Sequence, residues 1–467
     1  MLNMILLIFY IAAILAVIFL ERKNPTEALL WVLVMVCIPY AGVLLYLVFG
    51  STTAIKLTSV FRRKRLSKRL PAAKAPQDLL TGQQLSDEDL QVMQFNANYN
   101  NSPVTCYDDY QLFITGEAHY RALFQDIKEA KDCIYVLFYT IHHDVMGEAL
   151  VRSLTEKARE GVTVLVMCDF IANLSSPQKM FKPLVDAGGK VIRVKPYLTH
   201  YRSHRKIVAI DHKIGYIGGM NIGKQYANLA EKKNPWRDTQ IRLTGACVAT
   251  LDAYFMEDLL CAVRQKDWED MVAHMESIQI PPQRRSPNLC QFVVGGVDND
   301  KESVKMNYLS MIRSAKKKIR IQSPYFIPDA SVLDALKTAA ASGVEIDLMI
   351  PGIKASFFLD PVTTYYAGQI MAFGARVYKY HGYIHAKTMT IDDELCCIGS
   401  VNMDMRSLMV DDEICGIFYA NDMVQEYIRI YENDIQNCDP YSYDQFLKRG
   451  QKEKLAECIF LPFAPLM

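Results

Sequence analysis

Two long apolar runs open the chain, and neither contains a charged residue. The first, residues 2–20, would reach close to the ~30 Å thickness of a bilayer core at about 1.5 Å per helical residue. The second, residues 28–49, contains Pro39, which predicts a kink. The pattern predicts a transmembrane hairpin over residues 1–52, with spans at about 2–20 and 28–49.

A basic segment follows the second run. Residues 56–74 contain lysines and arginines but no acid, which by the positive-inside rule keeps this flank, and the bulk of the chain after it, in the cytoplasm. The same charges suit contact with anionic lipid headgroups. The pattern predicts a basic flank and linker over residues 53–104, with one short helix.

From about residue 105 the order of apolar and polar segments occurs twice, at offsets of about 181 to 186 residues. CIYVLFYTI (133–141), VTVLVMCD (162–169) and KVIRV (190–194) correspond to KIRIQSPYFI (318–327), VEIDLMI (344–350) and RVYKY (376–380). Helix-like stretches separate the apolar runs, which predicts α/β units. We expect two pseudo-symmetric α-β-α sandwich domains with mixed sheets, at residues 105–285 and 286–467.

Charge and cysteine content narrow the class of protein. Lys plus Arg is 52 and Asp plus Glu is 51, so the chain lacks the basic balance typical of nucleic-acid binders. Its twelve cysteines include no CxxC pair and no metal-binding spacing, a pattern that favours buried thiols in a reducing compartment.

One motif stands at equivalent points of the two halves: HRKIVAID (204–211) and HAKTMTID (385–392). The His and Lys are two residues apart and would project from the same face of a strand. Each motif is followed by a segment that reads as the return strand of a hairpin and ends in Gly and, three residues later, in Asn221 or Asn402. The duplication predicts one site built from two half-sites.

The two motifs resemble the signature H-x-K-x4-D-x6-G-x-x-N of the phospholipase D superfamily, and the likeness covers roughly residues 105–467. The first copy has Gly219 where many members have Ser, whereas the second has Ser400. Within the superfamily, the chain is similar to bacterial cardiolipin synthases. This likeness is carried by the apolar hairpin with ERKNPTEALLWVLV and by WRDTQIRL, SPYFIPD and GSVNMDMRS.

The resemblance implies the roles of the site residues, with no metal and no cofactor. One histidine would attack phosphorus to form a phosphohistidine, and the other would protonate the leaving alcohol. The implied residues are, for catalysis, His204, Lys206, Asp211, His385, Lys387 and Asp392; for phosphate binding, Asn221, Asn402 and Ser400; and for orienting the histidines, Asp238 and Glu413. Within this set, Asp211 and Asp392 are expected to be structural, closing the hairpins. The sequence does not decide which histidine attacks, and family analogy favours His204.

The resemblance implies a cardiolipin synthase that transfers a phosphatidyl group from one phosphatidylglycerol to another and releases glycerol. It would be a multi-pass protein of the bacterial cell membrane with its catalytic domains on the cytoplasmic side. The expected partners are phosphatidylglycerol, other anionic phospholipids and the membrane, but no nucleic acid, and an oligomer is left open. Phe357 and Phe358 are candidates for membrane contact.

Three alternatives stay open. A hydrolytic phospholipase D, or a phosphatidyltransferase with a different alcohol acceptor, would use the same chemistry. A nuclease of the same superfamily fits the apolar runs and the near-neutral charge less well. A non-catalytic membrane scaffold would be expected to have lost catalytic side chains, and none is missing from either motif.

Overall fold

The computed structural model describes residues 2–21, 25–47, 85–195, 202–229, 235–263, 286–296, 302–354 and 356–467. The basic segment at 56–74 and most of the predicted linker lie outside the described residues.

Three helices form the N-terminal part: α1 (Leu2–Leu20), α2 (Pro25–Cys37) and α3 (Ala41–Leu45). The span expected over 28–49, with a kink at Pro39, is interrupted there between α2 and α3, because Pro39 has no N–H to donate and disfavours helical geometry in the residue before it. The hydroxyl of Tyr46, just beyond α3, donates a 2.7 Å hydrogen bond to Oε1 of Glu21 and closes the hairpin. Within the described ranges, no helix combines the length and the apolar character needed to cross a membrane.

The first half then contains, in chain order, α4 (Asp87–Tyr99), β1 (Thr105–Cys106), β2 (Tyr110–Phe113), α5 (Gly116–Glu129), β3 (Cys133–Phe138), α6 (Val145–Arg159), β4 (Thr163–Asp169), a 3-10 turn (Gln178–Phe181), α7 (Lys182–Asp186), β5 (Lys190–Val194), β6 (Ile207–Ile210), β7 (Ile214–Gly218), β8 (Trp236–Arg237), β9 (Gln240–Thr244) and α8 (Val248–Ala262).

The second half contains β10 (Leu289–Gly295), α9 (Ser303–Ser314), β11 (Lys318–Gln322), β12 (Phe326–Ile327), α10 (Ala330–Ala341), β13 (Glu345–Pro351), α11 (Leu359–Met371), β14 (Arg376–Tyr380), β15 (Tyr383–Ile384), β16 (Thr388–Ile391), β17 (Leu395–Gly399), β18 (Met403–Asp404), α12 (Met405–Met409), β19 (Glu413–Tyr419), α13 (Asp422–Ile435), β20 (Cys438–Tyr441), α14 (Tyr443–Leu447), α15 (Gln451–Phe460) and a 3-10 segment (Leu461–Leu466).

Two large mixed sheets carry the repeat. The seven-stranded sheet has the order β2-β9-β7-β6-β3-β4-β5, and the nine-stranded sheet has the order β1-β10-β19-β17-β16-β11-β13-β14-β20. In both, the strand after the motif returns antiparallel as a hairpin, with Ile207 opposite Ile217 and Thr388 opposite Ile398. The predicted α/β class with mixed sheets and the two predicted hairpins are therefore confirmed. Strand β1 comes from the start of the first half but pairs with β10 of the second sheet.

Strand alternation explains how the core is layered. Along β3, Ile134 and Val136 pack with the buried residues of α5 and α6 on the outer face of the first sheet. Their neighbours Tyr135 and Leu137 point the other way, because successive side chains of a strand alternate between faces. There they join a cluster that also contains Phe418 of the second sheet. The two halves thus share one apolar core.

Short backbone contacts join the halves next to both motifs. Strand β15 pairs in parallel with β8, so that Tyr383 lies opposite Trp236. At the equivalent place, Ser203 forms a parallel bridge with Asp412. These contacts place the residue that begins each motif beside a strand of the opposite half.

Candidate active site

Each histidine stands just before a sheet strand and not within it. His204 and Lys206 precede β6, and His385 precedes β16. The expectation that the His and Lys of each motif lie on the strand was wrong, because the backbone at each histidine pairs with the opposite half of the chain. The N–H of His204 donates to the carbonyl of Asp412 at 2.9 Å, and that of His385 donates to Arg237 at 2.6 Å.

Each lysine binds the backbone of its own motif. Lys206 Nζ donates to the carbonyl oxygen of His204, and Lys387 Nζ donates to that of His385, both at 2.5 Å. Both lysines are almost fully buried. A buried ammonium is held in place by such a bond and keeps its other N–H donors for a ligand.

Each histidine is hydrogen-bonded to a carboxylate of the opposite half. His204 Nδ1 lies 2.8 Å from Oε1 of Glu413, and His385 Nδ1 lies 2.6 Å from Oδ2 of Asp238. Both carboxylates are fully buried. A carboxylate on Nδ1 fixes the tautomer and leaves the lone pair of Nε2 available to a substrate. The structure therefore brings together all four residues, in a crossed arrangement that sequence spacing did not indicate.

The two carboxylates have different surroundings, which accounts for the Gly219 and Ser400 difference. Ser400 Oγ donates to the second carboxylate oxygen of Glu413. A Cβ at Gly219 would come within 2.2 Å of Oδ1 of Asp238, so the first half has no room for the equivalent serine. Asp238 instead accepts the N–H of Thr239 at 2.7 Å. The hydroxyl of Ser400, expected to bind phosphate, is thus occupied by a carboxylate.

The two asparagines differ in how far the protein uses them. Asn221 Oδ1 accepts the N–H of Thr140 at 3.2 Å, and its Nδ2 donates to the hydroxyl of Tyr226 at 2.8 Å. Asn402 lines the cavity, and its buried Oδ1 has no hydrogen-bond partner in the described part of the chain.

The two motif aspartates hold turns and do not join the histidines. Asp211 accepts the N–H groups of Lys131, Asp132 and Cys133 at 2.8 to 3.0 Å. Asp392 accepts those of the three residues 316–318 at 2.5 to 2.7 Å. Both have positive φ, 51° and 50°, a conformation that Asp tolerates better than most residues. Their geometry supports the structural role and not the catalytic one.

A cavity of about 870 Å³ opens over the two histidines. Its polar wall includes His204, His385, Asn221 and Asn402, the side chains expected from the motifs. Sequence reasoning missed much of the remaining wall, which comes from Tyr139, Tyr226, Trp236, Arg406, Phe463 and Met467 among others. The sequence could have indicated Tyr139, because this residue lies at the repeat offset from Tyr325 of SPYFIPD, which also lines the cavity.

Burial and mutual repulsion set the charge state of the basic groups. Burial, followed by the charges of Lys206 and Lys387, holds the pKa of His204 well below its ordinary value. Burial lowers the pKa of His385 to about 4, with Lys387 acting in the same direction. Burial also lowers the pKa of Lys206 to about 7 and that of Lys387 to about 8. Both imidazoles are therefore neutral at pH 7 until an anion enters, and an anion raises all four pKa values.

The pKa values of the two carboxyl groups, Glu413 and Asp238, shift in opposite directions. Burial raises the pKa of Glu413 to about 7, although Lys206 and Ser400 act against it. Burial acts to raise the pKa of Asp238 as well, but His385 and Lys387 outweigh it and the pKa is lowered. Asp238 is therefore the more firmly ionised of the two. Among the described residues, no group of three or more His, Cys, Asp or Glu side chains is arranged to hold a metal ion.

Two histidines that line one cavity, each at the start of a His–Lys motif that leads into one of two similar mixed sheets, define a phospholipase D-like protein. Residues 123–236 and 308–435 match the family described as cardiolipin synthase, PLD-like domain, and residues 8–51 match the phospholipase D-nuclease N-terminal family. The chain belongs to the cardiolipin synthase family, a family of membrane-associated phosphatidyltransferases within the phospholipase D superfamily.

Curated relatives align over nearly the whole chain. The major cardiolipin synthase ClsA of Bacillus subtilis (strain 168) is 33% identical over 100% of this chain and 99% of its own length. A cardiolipin synthase of Listeria monocytogenes serotype 4b (strain CLIP80459) is 32% identical over 99% and 98%, respectively.

Solved structures share the fold. The phosphatidylserine synthase of Haemophilus influenzae Rd KW20 superposes with a TM-score of 0.62 at 14% identity, covering 80% of this chain and 97% of that one. The polyphosphate kinase of Porphyromonas gingivalis gives a TM-score of 0.51 at 15% identity, covering 76% and 53%.

Proposed function

We propose that this protein transfers a phosphatidyl group from one phosphatidylglycerol to a second and releases glycerol, so that the product is cardiolipin. The observation that carries the proposal is that the histidines of both His–Lys motifs line one cavity, each bonded through Nδ1 to a buried carboxylate. One histidine alone would supply either a nucleophile or an acid, whereas this reaction needs both.

In the first step, Nε2 of one histidine attacks the phosphorus of the first phosphatidylglycerol. The bond from phosphorus to the headgroup glycerol oxygen breaks, and the second histidine, protonated on Nε2, gives its proton to that oxygen. Lys206, Lys387, Asn221 and Asn402 would hold the non-bridging phosphoryl oxygens and offset their charge. With this charge supplied by ammonium groups, the step as written needs no metal.

In the second step, a glycerol hydroxyl of another phosphatidylglycerol gives its proton to the second histidine and attacks phosphorus. The phosphorus–nitrogen bond breaks, which restores the first histidine and completes cardiolipin. Atoms and protons then balance over the cycle. If water attacks in place of the hydroxyl, the product is phosphatidic acid, so the same site would also perform the hydrolytic reaction.

The surroundings of the two histidines favour His204 as the nucleophile. Burial holds the pKa of His204 well below its ordinary value, so this imidazole is neutral and has a lone pair for attack. His385 is bonded to Asp238, the carboxylate whose pKa is lowered, and an ionised partner stabilises an imidazolium. We propose that Glu413 and Asp238 orient the histidines and that Ser400 holds Glu413 in place. Asp211 and Asp392 stabilise the turns.

The proposal places the N-terminal hairpin in the membrane, with the two-sheet body on the cytoplasmic side. It is supported by the apolar side chains that α1 and α2 leave exposed, such as Phe9 at 71% and Leu29 at 71%. A helical pair with so much uncovered apolar surface is suited to burial in lipid. In this proposal the hairpin crosses the bilayer twice, and the catalytic body lies inside the cell.

The reaction is tested by giving the purified full chain phosphatidylglycerol as the only lipid. We expect glycerol and cardiolipin in equal amounts. Phosphatidic acid as the main product would overturn the synthase proposal in favour of the hydrolytic one, and a requirement for an added alcohol would favour a different acceptor. Turnover should persist in EDTA.

The mechanism is tested by trapping the intermediate with radiolabelled phosphatidylglycerol and acid-free peptide mapping. We expect label on His204 in the wild type, and slower labelling of His204 in His385→Ala, which cannot protonate the leaving glycerol. Label only on a peptide containing His385 would reverse the two roles. Turnover surviving either His→Ala change would contradict the mechanism as a whole.

A further inference from the structure

The C-terminal helix exposes apolar side chains on its outer face. Leu455, Ile459 and Phe463 are 61%, 51% and 52% exposed, and they follow one another at intervals of four residues through α15 and the 3-10 segment. Side chains at this spacing share one face of a helix. On the inner side, Glu457 is buried and paired with Arg449 at 2.6 Å, and Phe460 and Leu461 pack against an apolar cluster.

A second segment extends the same exposed face. Phe357 and Phe358, just before α11, are 75% and 57% exposed. Their rings lie 5.6 Å apart between centroids, and each lies 5.2 Å from the ring of Phe460 at the end of α15. The aromatic contacts fix the two segments beside each other. We call the exposed set Phe357, Phe358, Leu455, Ile459, Phe463 and Leu466 the apolar rim.

The rim is continuous with the catalytic cavity. Phe358, Phe463 and Leu466 line the same cavity as His204 and His385. The apolar surface therefore begins at the mouth of a site whose polar floor contains both histidines, and the carbonyl oxygen of each histidine accepts from a buried lysine. A ligand that spans both would have an anionic head and an apolar body.

We propose that the apolar rim inserts into the acyl-chain region of the bilayer that carries the substrate, so that a phospholipid headgroup enters the cavity while its chains stay in lipid. This inference rests on the proposed function. Moving acyl chains into water costs ~0.8 kcal/mol per CH₂, which makes withdrawal of a whole lipid unfavourable. Lys354 and Lys452 are exposed and lie three residues before Phe357 and Leu455, where they would meet anionic headgroups.

The first test measures turnover of the full chain with the substrate presented in two ways. The variant is Phe357→Ser with Ile459→Ser, both at exposed positions outside the cavity wall, and the matched control is Val185→Ser, at an apolar position 51% exposed and likewise outside the cavity wall. With long-chain phosphatidylglycerol in vesicles, we expect the double variant to lose on the order of tenfold in kcat/KM. With monomeric dihexanoyl phosphatidylglycerol in detergent, we expect it to stay within about twofold of the wild type.

The second test measures insertion of the apolar rim into the bilayer by tryptophan fluorescence. In Phe463→Trp, we expect emission to be quenched by phosphatidylglycerol vesicles with brominated acyl chains, whereas the added emission of Val185→Trp should not be. Three outcomes would overturn the proposal: no quenching at 463, equal losses on both substrates in the double variant, or a change of oligomeric mass in that variant, which would make the rim a contact between copies. If the wild type makes no cardiolipin from either substrate, the proposed function fails, while the quenching still tests the rim.

Discussion

Glu413, in the second half of the chain, accepts a hydrogen bond from Nδ1 of His204 in the first half, at 2.8 Å. Asp238 of the first half holds His385 of the second in the same way, at 2.6 Å. Each half therefore contains one histidine and the carboxylate that orients the other one. The catalytic unit exists only when both sheets are packed together, which explains why the halves share a continuous apolar core.

Replacing either orienting carboxylate by its amide should reduce turnover while preserving the shape of the site. Asp238→Asn and Glu413→Gln remove the negative charge that fixes the imidazole tautomer. Loss of such an orienting group is expected to cost between about 10²- and 10⁴-fold in kcat. Asp238→Asn should slow protonation of the leaving glycerol, and Glu413→Gln should slow formation of the phosphohistidine. Rapid-quench measurement of glycerol and of labelled protein separates the two steps.

The matched control is Asp252→Asn, which removes a buried carboxylate bonded to His212 at 2.9 Å, away from the cavity wall. It should lower stability but leave the turnover of folded protein close to that of the wild type. An equal loss in all three variants would mean that the amides act by unfolding the protein.

Adding a side chain at Gly219 should damage the site although the change is a single methyl group. In Gly219→Ala, the new Cβ would lie 2.2 Å from Oδ1 of Asp238 and push that carboxylate away from His385. We expect turnover to fall by at least about 10²-fold, because a misplacement near 1 Å has an effect of this order. Ser400→Ala removes the donor to Glu413 and the acceptor of the Ile414 N–H but introduces no clash, so it should have a smaller effect. Turnover and near-UV circular dichroism measured together distinguish a displaced carboxylate from a lost fold.

Gly450→Ala is the control for the glycine change, since no atom lies within 4 Å of a Cβ built there. It should leave both readouts unchanged. Full activity in Gly219→Ala would show that Asp238 can move without consequence, against the role proposed for it.

The activity should decline above neutral pH because the buried lysines lose their charge. Burial lowers the pKa of Lys206 to about 7 and that of Lys387 to about 8. Attraction for a phosphate anion therefore weakens as pH rises through this window. We expect kcat/KM in mixed micelles to fall by up to about tenfold per pH unit above pH 8, while kcat changes less, since bound phosphate restores the protonated form. Lys387→Arg should move the decline upward.

The same lysines predict the pH dependence of stability in the ligand-free protein. Their pKa values are lower in the folded than in the unfolded chain, so between about pH 7 and 10.5 the unfolded chain binds more protons, and stability rises with pH. Lys206→Met should remove part of this slope. A slope that is identical in wild type and variant, by thermal unfolding at pH 7 and pH 9, would contradict the buried-charge explanation.

The repeat made much of the fold predictable. The apolar run CIYVLF and its counterpart KIRIQ, separated from the next runs by helix-like stretches, identified the central strands, and the duplicated motif indicated that His204 and His385 share a site. Sequence spacing could not show that Glu413 belongs with His204, because that contact depends on how two sheets pack and not on distance along the chain. Sequence spacing also could not show that residues near the C-terminus, such as Phe463, line the cavity, because they belong to neither motif.

The structural role of the motif aspartate can be tested at Asp392. Its carboxylate accepts three backbone N–H groups, from residues 316–318, and its own backbone has a φ of 50°. Asp392→Ala removes all three acceptor contacts and places Ala in a left-handed conformation, so we expect a loss of about 2 kcal/mol in the free energy of unfolding. Asp392→Asn keeps an acceptor and tolerates that φ, so its loss should be about half as large. Because the turn lies away from the cavity wall, the turnover of the folded fraction should be preserved in both variants. Thermal unfolding together with activity per folded molecule checks this, and a large loss of turnover in a fully folded Asp392→Asn would return the residue to the catalytic group.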